Sequence, residues 1–211
     1  SVHSVVSWDF AMSIVPGWHT TLFAPYFVAG AIFSGTAMVI TLVIPLRKAM
    51  HLHEYITDDH FESIAKILLF TSLIVSYAYI VEFGMASYGE NIFEMEAFRY
   101  RALGEFRYLT WAMIFCNSLV PLTLFAKRLR RNTAYLLVVS LLVNVGMWLE
   151  RFVIIVTSLA HDFDPYVWGT YRPTYVEVGI SLGSFGLFFM LYLLFVKNLP
   201  VLSITEIKEH L

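Results

Sequence analysis

Five uninterrupted apolar runs, each long enough to cross a lipid bilayer, constrain this chain more than any other feature of its sequence. They occupy residues 22–46, 61–86, 106–126, 133–160 and 175–196. A hydrocarbon core of roughly 30 Å needs about 20 helical residues at ~1.5 Å each, so every run can span it, the longer ones with some tilt. Backbone polar groups in lipid must satisfy one another, which makes helices the expected form of such runs. The fold class that follows is an all-α integral membrane protein with about five transmembrane helices. Composition points the same way, with 14% charged residues against roughly 25% in soluble domains.

Local signals set the limits of the runs. Pro16-Gly17-Trp18-His19 announces the first, and Pro45 with Arg47 and Lys48 closes it. Asp59 and Glu62, three residues apart, read as a capping pair opening the second. The third stops at the basic stretch 127–131, and the fifth begins behind Pro173 and ends at Pro200. Glu177, three residues after Thr174, fits a capping box. Gly179 and Gly183 in the fifth run would admit a second helix closely. In the tail, Ser203–Glu206 reads as a short capped turn.

Lys and Arg are divided unevenly between alternate loops. Arg47, Lys48, Lys66, Lys127, Arg128, Arg130, Arg131, Lys197 and Lys208 fall on one side, and Arg99, Arg101, Arg107 and Arg172 on the other. The richer side is expected to be cytoplasmic. That puts the segment 1–21 outside and the tail 197–211 inside. Trp8, Trp18, Tyr26, Tyr88, Tyr166, Trp168 and Tyr171 then form an outer aromatic belt. The acidic, aromatic loop 87–105 suits a docking surface for a peripheral protein. The chain starts at Ser1 with no signal-like segment, so we expect a processed chain or part of a longer one.

Several chemistries are disfavoured. No basic cluster interleaved with aromatic residues suggests nucleic acid. A lone Cys116 excludes an internal disulfide and any cysteine-ligated cluster within the chain. All seven histidines fall outside the apolar runs, leaving no axial ligand for haem. His51, His53 and His60 match no specific metal-site spacing and read as solvated loop residues. The chain is therefore expected to hold no cofactor and no metal.

The informative residues are charges that the runs fail to exclude. Ionisable groups in a bilayer are costly and usually face a protein interior or a water path. Glu82, Glu150, Arg151 and Glu177 are such groups, and their positions along the runs put them at similar depth. Asp9 and His19 could fold back to that level. Neighbouring helix positions point about 100° apart, so Arg151 is expected to pair with an acid other than Glu150: Glu82 by preference, with Glu177 and Asp9 as alternatives. Two readings of this cluster stand: structural glue between helices, or proton and quinone chemistry. Asn144, Tyr77 and Tyr79 lie deeper, with packing as their default role.

Three strings carry a family resemblance: Ser7-Trp8-Asp9-Phe10-Ala11 with Pro16 to Thr21, Pro25 to Gly35, and Asn144 to Ile154. With the ending Gly183-Ser184-Phe185-Gly186, they resemble the second half of ActC, a membrane subunit of alternative complex III. ActC belongs to the NrfD-like family, which includes the membrane subunit of polysulphide reductase. The resemblance implies a four-helix bundle plus one additional helix, forming one membrane domain in a bacterial inner membrane. It implies a quinol-oxidising electron-transfer complex with a peripheral iron–sulphur subunit, a multihaem cytochrome c subunit and a paralogous NrfD-like membrane subunit as partners. In that family quinol is the substrate, and the iron–sulphur clusters and c-type haems sit in the partners. Its main quinol pocket belongs to a first bundle that this sequence does not contain. What carries over is a possible proton path with Glu82, Glu150 and Arg151 at its outer end. A non-catalytic anchor for the peripheral subunits is the alternative. A secondary transporter would show broken midplane helices and an inverted repeat, and neither is seen.

Overall fold

The computed structural model describes residues 2–160, 163–164, 166, 168–169 and 171–201. The chain divides into two compact units, Ser1–Thr170 and Tyr171–Leu211. Five helical stretches are long and apolar enough to cross a membrane: Phe23–Ala49, Asp58–Tyr88, Arg107–Phe125, Thr133–Ala160 and Tyr175–Asn198. The expected turn at Ser203–Glu206 lies outside the described residues.

In the first unit, α1 (Val2–Ala11) leads to α2 (Phe23–Ala49) and then α3 (Asp58–Tyr88). After α4 (Ile92–Leu103), the third spanning stretch follows in pieces. It comprises α5 (Arg107–Ile114), a π-helical turn (Phe115–Leu119), α6 (Val120–Leu122) and a 3₁₀ turn (Thr123–Phe125). Next come α7 (Lys127–Arg130) and α8 (Thr133–Ala160). The four spanning stretches pack around Phe33, Ile40, Leu68, Val75, Leu124, Leu136 and Val143, all buried. Outward positions such as Phe70, Ile80 and Val138 stay exposed and apolar, as a lipid-facing surface requires. The second unit is built on α9 (Tyr175–Asn198). It opens with the expected capping box, in which Thr174 N donates to Glu177 Oε2 at 2.6 Å and Glu177 N returns to Thr174 Oγ1.

Three local expectations are corrected. Pro45 does not close the first span, because α2 continues through it to Ala49. The proline removes only the N–H that would reach Thr41. The helix is stopped just beyond Ala49 by His51, whose φ of 55° is left-handed, with Leu52 N returning to Arg47 O. Second, α3 is capped by Thr57 and His60, whose imidazole accepts from Thr57 N at 3.1 Å. Glu62 is drawn away from the cap by stronger partners, Arg131 at 2.6 Å, Arg130 at 3.2 Å and Lys66 at 3.4 Å. Arg131 also meets Asp59, and Arg47 meets Asp58 at 2.6 Å. Two loops of the basic set thus close at one end of the bundle. The bond to Glu62 also pushes the Arg131 guanidinium up from its ordinary value.

Third, the segment 87–105 is not simply an outer loop. Asn91 caps α4 by accepting from Phe93 N. The helix then turns Ala97, Phe98 and Arg101 inward, leaving Ile92 and Leu103 exposed. The aromatic belt is likewise incomplete. Trp8, Tyr88 and Tyr166 are exposed, but Trp18 packs edge-on against Phe10 and donates to Ile154 O at 3.0 Å. Tyr26 is buried.

Candidate functional site

Glu150 is fully buried on α8, at the centre of a polar cluster. Its Oε2 accepts a hydrogen bond from the Tyr79 hydroxyl of α3. The same oxygen accepts from Asn117 Nδ2 at 3.3 Å, and Asn117 also donates to Tyr79 at 2.9 Å. A carboxyl, a phenol and an amide from three helices therefore form a closed triangle. Buried polar groups usually find partners of this kind, and inside lipid such bonds also hold helices together.

The backbone supplies the reason why Asn117 arrives there. Pro121 cannot donate to the carbonyl four residues back, and the turn widens so that Val120 N reaches Phe115 O. A single π-turn shifts the register and turns the adjacent residues Cys116 and Asn117 inward together. Across from them, α8 presents Gly146. A Cβ at that position would collide with the Asn117 side chain and lie 2.6 Å from Cys116 Cβ, so the close approach of the two elements depends on glycine.

The expected pairing of Arg151 is also corrected. Its guanidinium curls back to its neighbour, with Nη2 3.1 Å from Glu150 Oε1. The two Cα–Cβ bonds do diverge, but the arginine stem is long enough to fold over. It lies on the Phe27 ring at 4.1 Å and against Gly30. Glu82 is instead the partner of Arg101, at 3.9 Å. Arg101 donates to Thr157 Oγ1 at 2.8 Å and to Ser158 Oγ, and stacks on Phe98 at 4.8 Å. Its Nη2 approaches Gly17, where a Cβ would sit 2.9 Å away, and the Gly17 φ of 79° favours glycine independently. Burial pulls the Arg101 guanidinium below its ordinary value, and Glu82 opposes that pull.

Glu82, Glu150, Arg101, Tyr26, Tyr79 and Thr110 all line one cavity, walled otherwise by Phe83, Phe98, Met113, Val153 and Ile154. The remaining expected site residues lie elsewhere. Asp9 is exposed on α1. His19 is exposed and its ring reaches only Ser13 O at 3.2 Å. Glu177 is used in the cap of α9. Asn144 donates to Thr41 at 3.0 Å, joining α2 to α8, and Tyr77 is exposed. Among the described residues, no three His, Cys, Asp or Glu side chains gather as a metal ion would require.

Sequence reasoning missed Asn117, Thr110 and Arg101, set Tyr26 in the belt and left Tyr79 to packing. Two signals were available. Asn117 is an amide inside an apolar run, and Asn91 before the stretch 92–103 announces a helix that would carry Arg101 inward.

The fold and this cluster define a membrane-embedded helical protein with a buried acid network. Residues 1–161 match the model of the family described as polysulphide reductase, NrfD, and the chain belongs to that family. It is also 25% identical, over 234 aligned positions, to a Halobacterium salinarum protein named as a candidate membrane subunit of dimethyl sulfoxide reductase. The alignment covers 95% of this chain and 51% of that relative, so the chain spans about half the length of the curated relative it matches.

Proposed function

We propose that this chain is part of the membrane subunit of a quinol-oxidising respiratory complex of the alternative complex III type, and that its bundle handles protons rather than electrons. The observation that carries the reading is Glu150, a carboxyl fully buried within a spanning helix and held by Tyr79 and Asn117. Such intramembrane acids commonly relay protons, and a carboxyl–phenol pair is chemically able to hold and pass one. The space open to the centre of a water molecule in the adjoining cavity is only about 20 Å³. Ligand pockets usually run from about 300 Å³, so a quinone ring would bind outside this cavity. Electrons would leave through a peripheral iron–sulphur subunit and a multihaem cytochrome c, beside a paralogous membrane subunit. The family resemblance and the name of the haloarchaeal relative support a redox assembly. The Lys and Arg distribution supports an N-terminus outside and a C-terminus in the cytoplasm, and the resemblance to ActC suggests a bacterial inner membrane.

The test is quinol oxidation by the purified native complex carrying Glu150→Gln. We expect turnover to fall about a hundredfold or more, the low end for loss of a proton-transferring group being about 10², with every partner protein retained. Unaltered turnover in an assembled complex would overturn the reading and leave an anchor for the peripheral subunits.

A further inference from the structure

The cavity beside Glu150 gathers an unusual set of atoms. Nine buried side-chain polar atoms among the described residues lack a hydrogen-bond partner within the protein. Four of them, Tyr26 Oη, Glu82 Oε1, Thr110 Oγ1 and Glu150 Oε1, belong to residues lining this one cavity. They come from four elements, α2, α3, α5 and α8, so no local backbone motif explains their convergence. Tyr26 is close enough to Glu150 and Tyr79 to interact with both, yet makes no well-formed hydrogen bond. Glu150 Oε1 faces Arg151, and Glu82 Oε1 stands a loose 3.9 Å from Arg101.

Buried polar groups are rarely left unpaired, and when they cluster about a small cavity the usual partner is ordered water. A buried water needs at least about 10–15 Å³ of space for its centre and two to four polar neighbours. The space here is about 20 Å³ and the neighbours are four. Glu150 Oε1 keeps Arg151 at 3.1 Å in any case, but a purely apolar ligand would leave Tyr26 Oη, Thr110 Oγ1 and Glu82 Oε1 without a hydrogen bond. Thr110 is the sharpest indicator. Its side chain is almost fully buried and its hydroxyl has no protein partner, although valine would fill the same volume.

We propose that this cavity is a built water site, holding about one or two water molecules that bridge the Glu82 and Glu150 carboxyls, with Tyr26 and Thr110 as the other ligands. The water is bound between the α3 acid, paired with Arg101, and the α8 acid, paired with Arg151. Thr110 is a positioning residue that holds the bridge. Occupancy of the site stands on the geometry alone, whereas a part for the bridge in proton transfer rests on the function proposed above.

The experiment is X-ray radiolytic labelling of the native complex in ¹⁸O water, read by mass spectrometry at Met113, a buried methionine on the cavity wall. Radicals made from bound water oxidise side chains next to it. The expected result is ¹⁸O incorporation at Met113 in the wild type. It should drop at least threefold in Thr110→Ile, which fills the space, and fall in Thr110→Val, which removes one ligand at nearly constant volume. Absence of label at Met113 in the wild type, or equal labelling in the wild type and an assembled Thr110→Val complex, would overturn the water site. Quinol turnover measured on the same samples separates the two ideas. Lost label with full turnover keeps the water and removes its role, while a complex that oxidises no quinol leaves the labelling result standing.

Discussion

Arg101 of the short helix α4 meets Glu82 of the spanning helix α3 at 3.9 Å, with only a few per cent of the arginine side chain exposed. The ion pair joins a segment outside the apolar runs to the wall of the Glu150 cavity. Replacing Arg101 by Leu leaves Glu82 without its cation and frees Thr157 and Ser158. Breaking a buried pair from one side typically costs about 3–5 kcal/mol, so the variant complex should unfold at clearly lower temperature. Arg101→Lys should recover little, because an ammonium cannot reproduce the fork on two hydroxyls. Thermal unfolding in detergent checks both, and a melting curve identical to wild type for Arg101→Leu would contradict the pairing.

Two glycines of the first unit should respond oppositely to alanine. At Gly146 a Cβ meets Cys116 and Asn117, whereas at Gly35 it meets nothing within 4 Å. Overpacking of this kind costs about 1–3 kcal/mol, so Gly146→Ala should lower stability and disturb the Asn117 bonds to Tyr79 and Glu150. Gly35→Ala should be neutral or slightly stabilising, since alanine favours helix by about 1 kcal/mol. Parallel denaturation curves decide this, with equal effects at the two sites being the adverse outcome.

The triangle around Glu150 offers a graded test of the proposed proton role. Tyr79→Phe removes one donor to the carboxyl, and Asn117→Leu removes the other with little change of volume. Each should slow quinol turnover at least about tenfold at unchanged KM, the effect of one lost hydrogen bond of about 1.5 kcal/mol to the carboxyl. Their effects should combine less than additively, because both act through one carboxyl. Steady-state kinetics of the two single variants and the double variant test this. Full additivity would indicate independent roles.

Topology is open to direct measurement. At one end of the bundle Arg130 and Arg131 meet Glu62, Lys66 joins them from the next turn of α3, and Arg47 meets Asp58, all four bases from the set expected to face the cytoplasm. A reporter fused after Arg131 and another after Val196 should both read out as cytoplasmic. A periplasmic signal from either would reverse the proposed orientation.

Much of the fold was legible because long apolar runs admit a single backbone solution in lipid. Thr133–Ala160 matches the expected span at both ends, and the other four shift by a few residues at caps and at Pro45. Glu82 and Glu150 stood out for the same reason, since a charge inside such a run demands an explanation. The strings around Trp18, Gly30 and Glu150 were enough to bring the family into view, and residues 1–161 carry its signature. Tertiary structure alone decided which acid met which base. Arg151 turned back to Glu150 and Arg101 came in from α4 to Glu82, because long flexible side chains choose partners by which helices adjoin. The π-turn at Phe115–Leu119 was equally hidden, since a one-residue change of register leaves an apolar run looking apolar. That shift brought Asn117 to Glu150. Depth in the membrane can be counted along a sequence, but the facing of side chains across helices is set only when the helices pack.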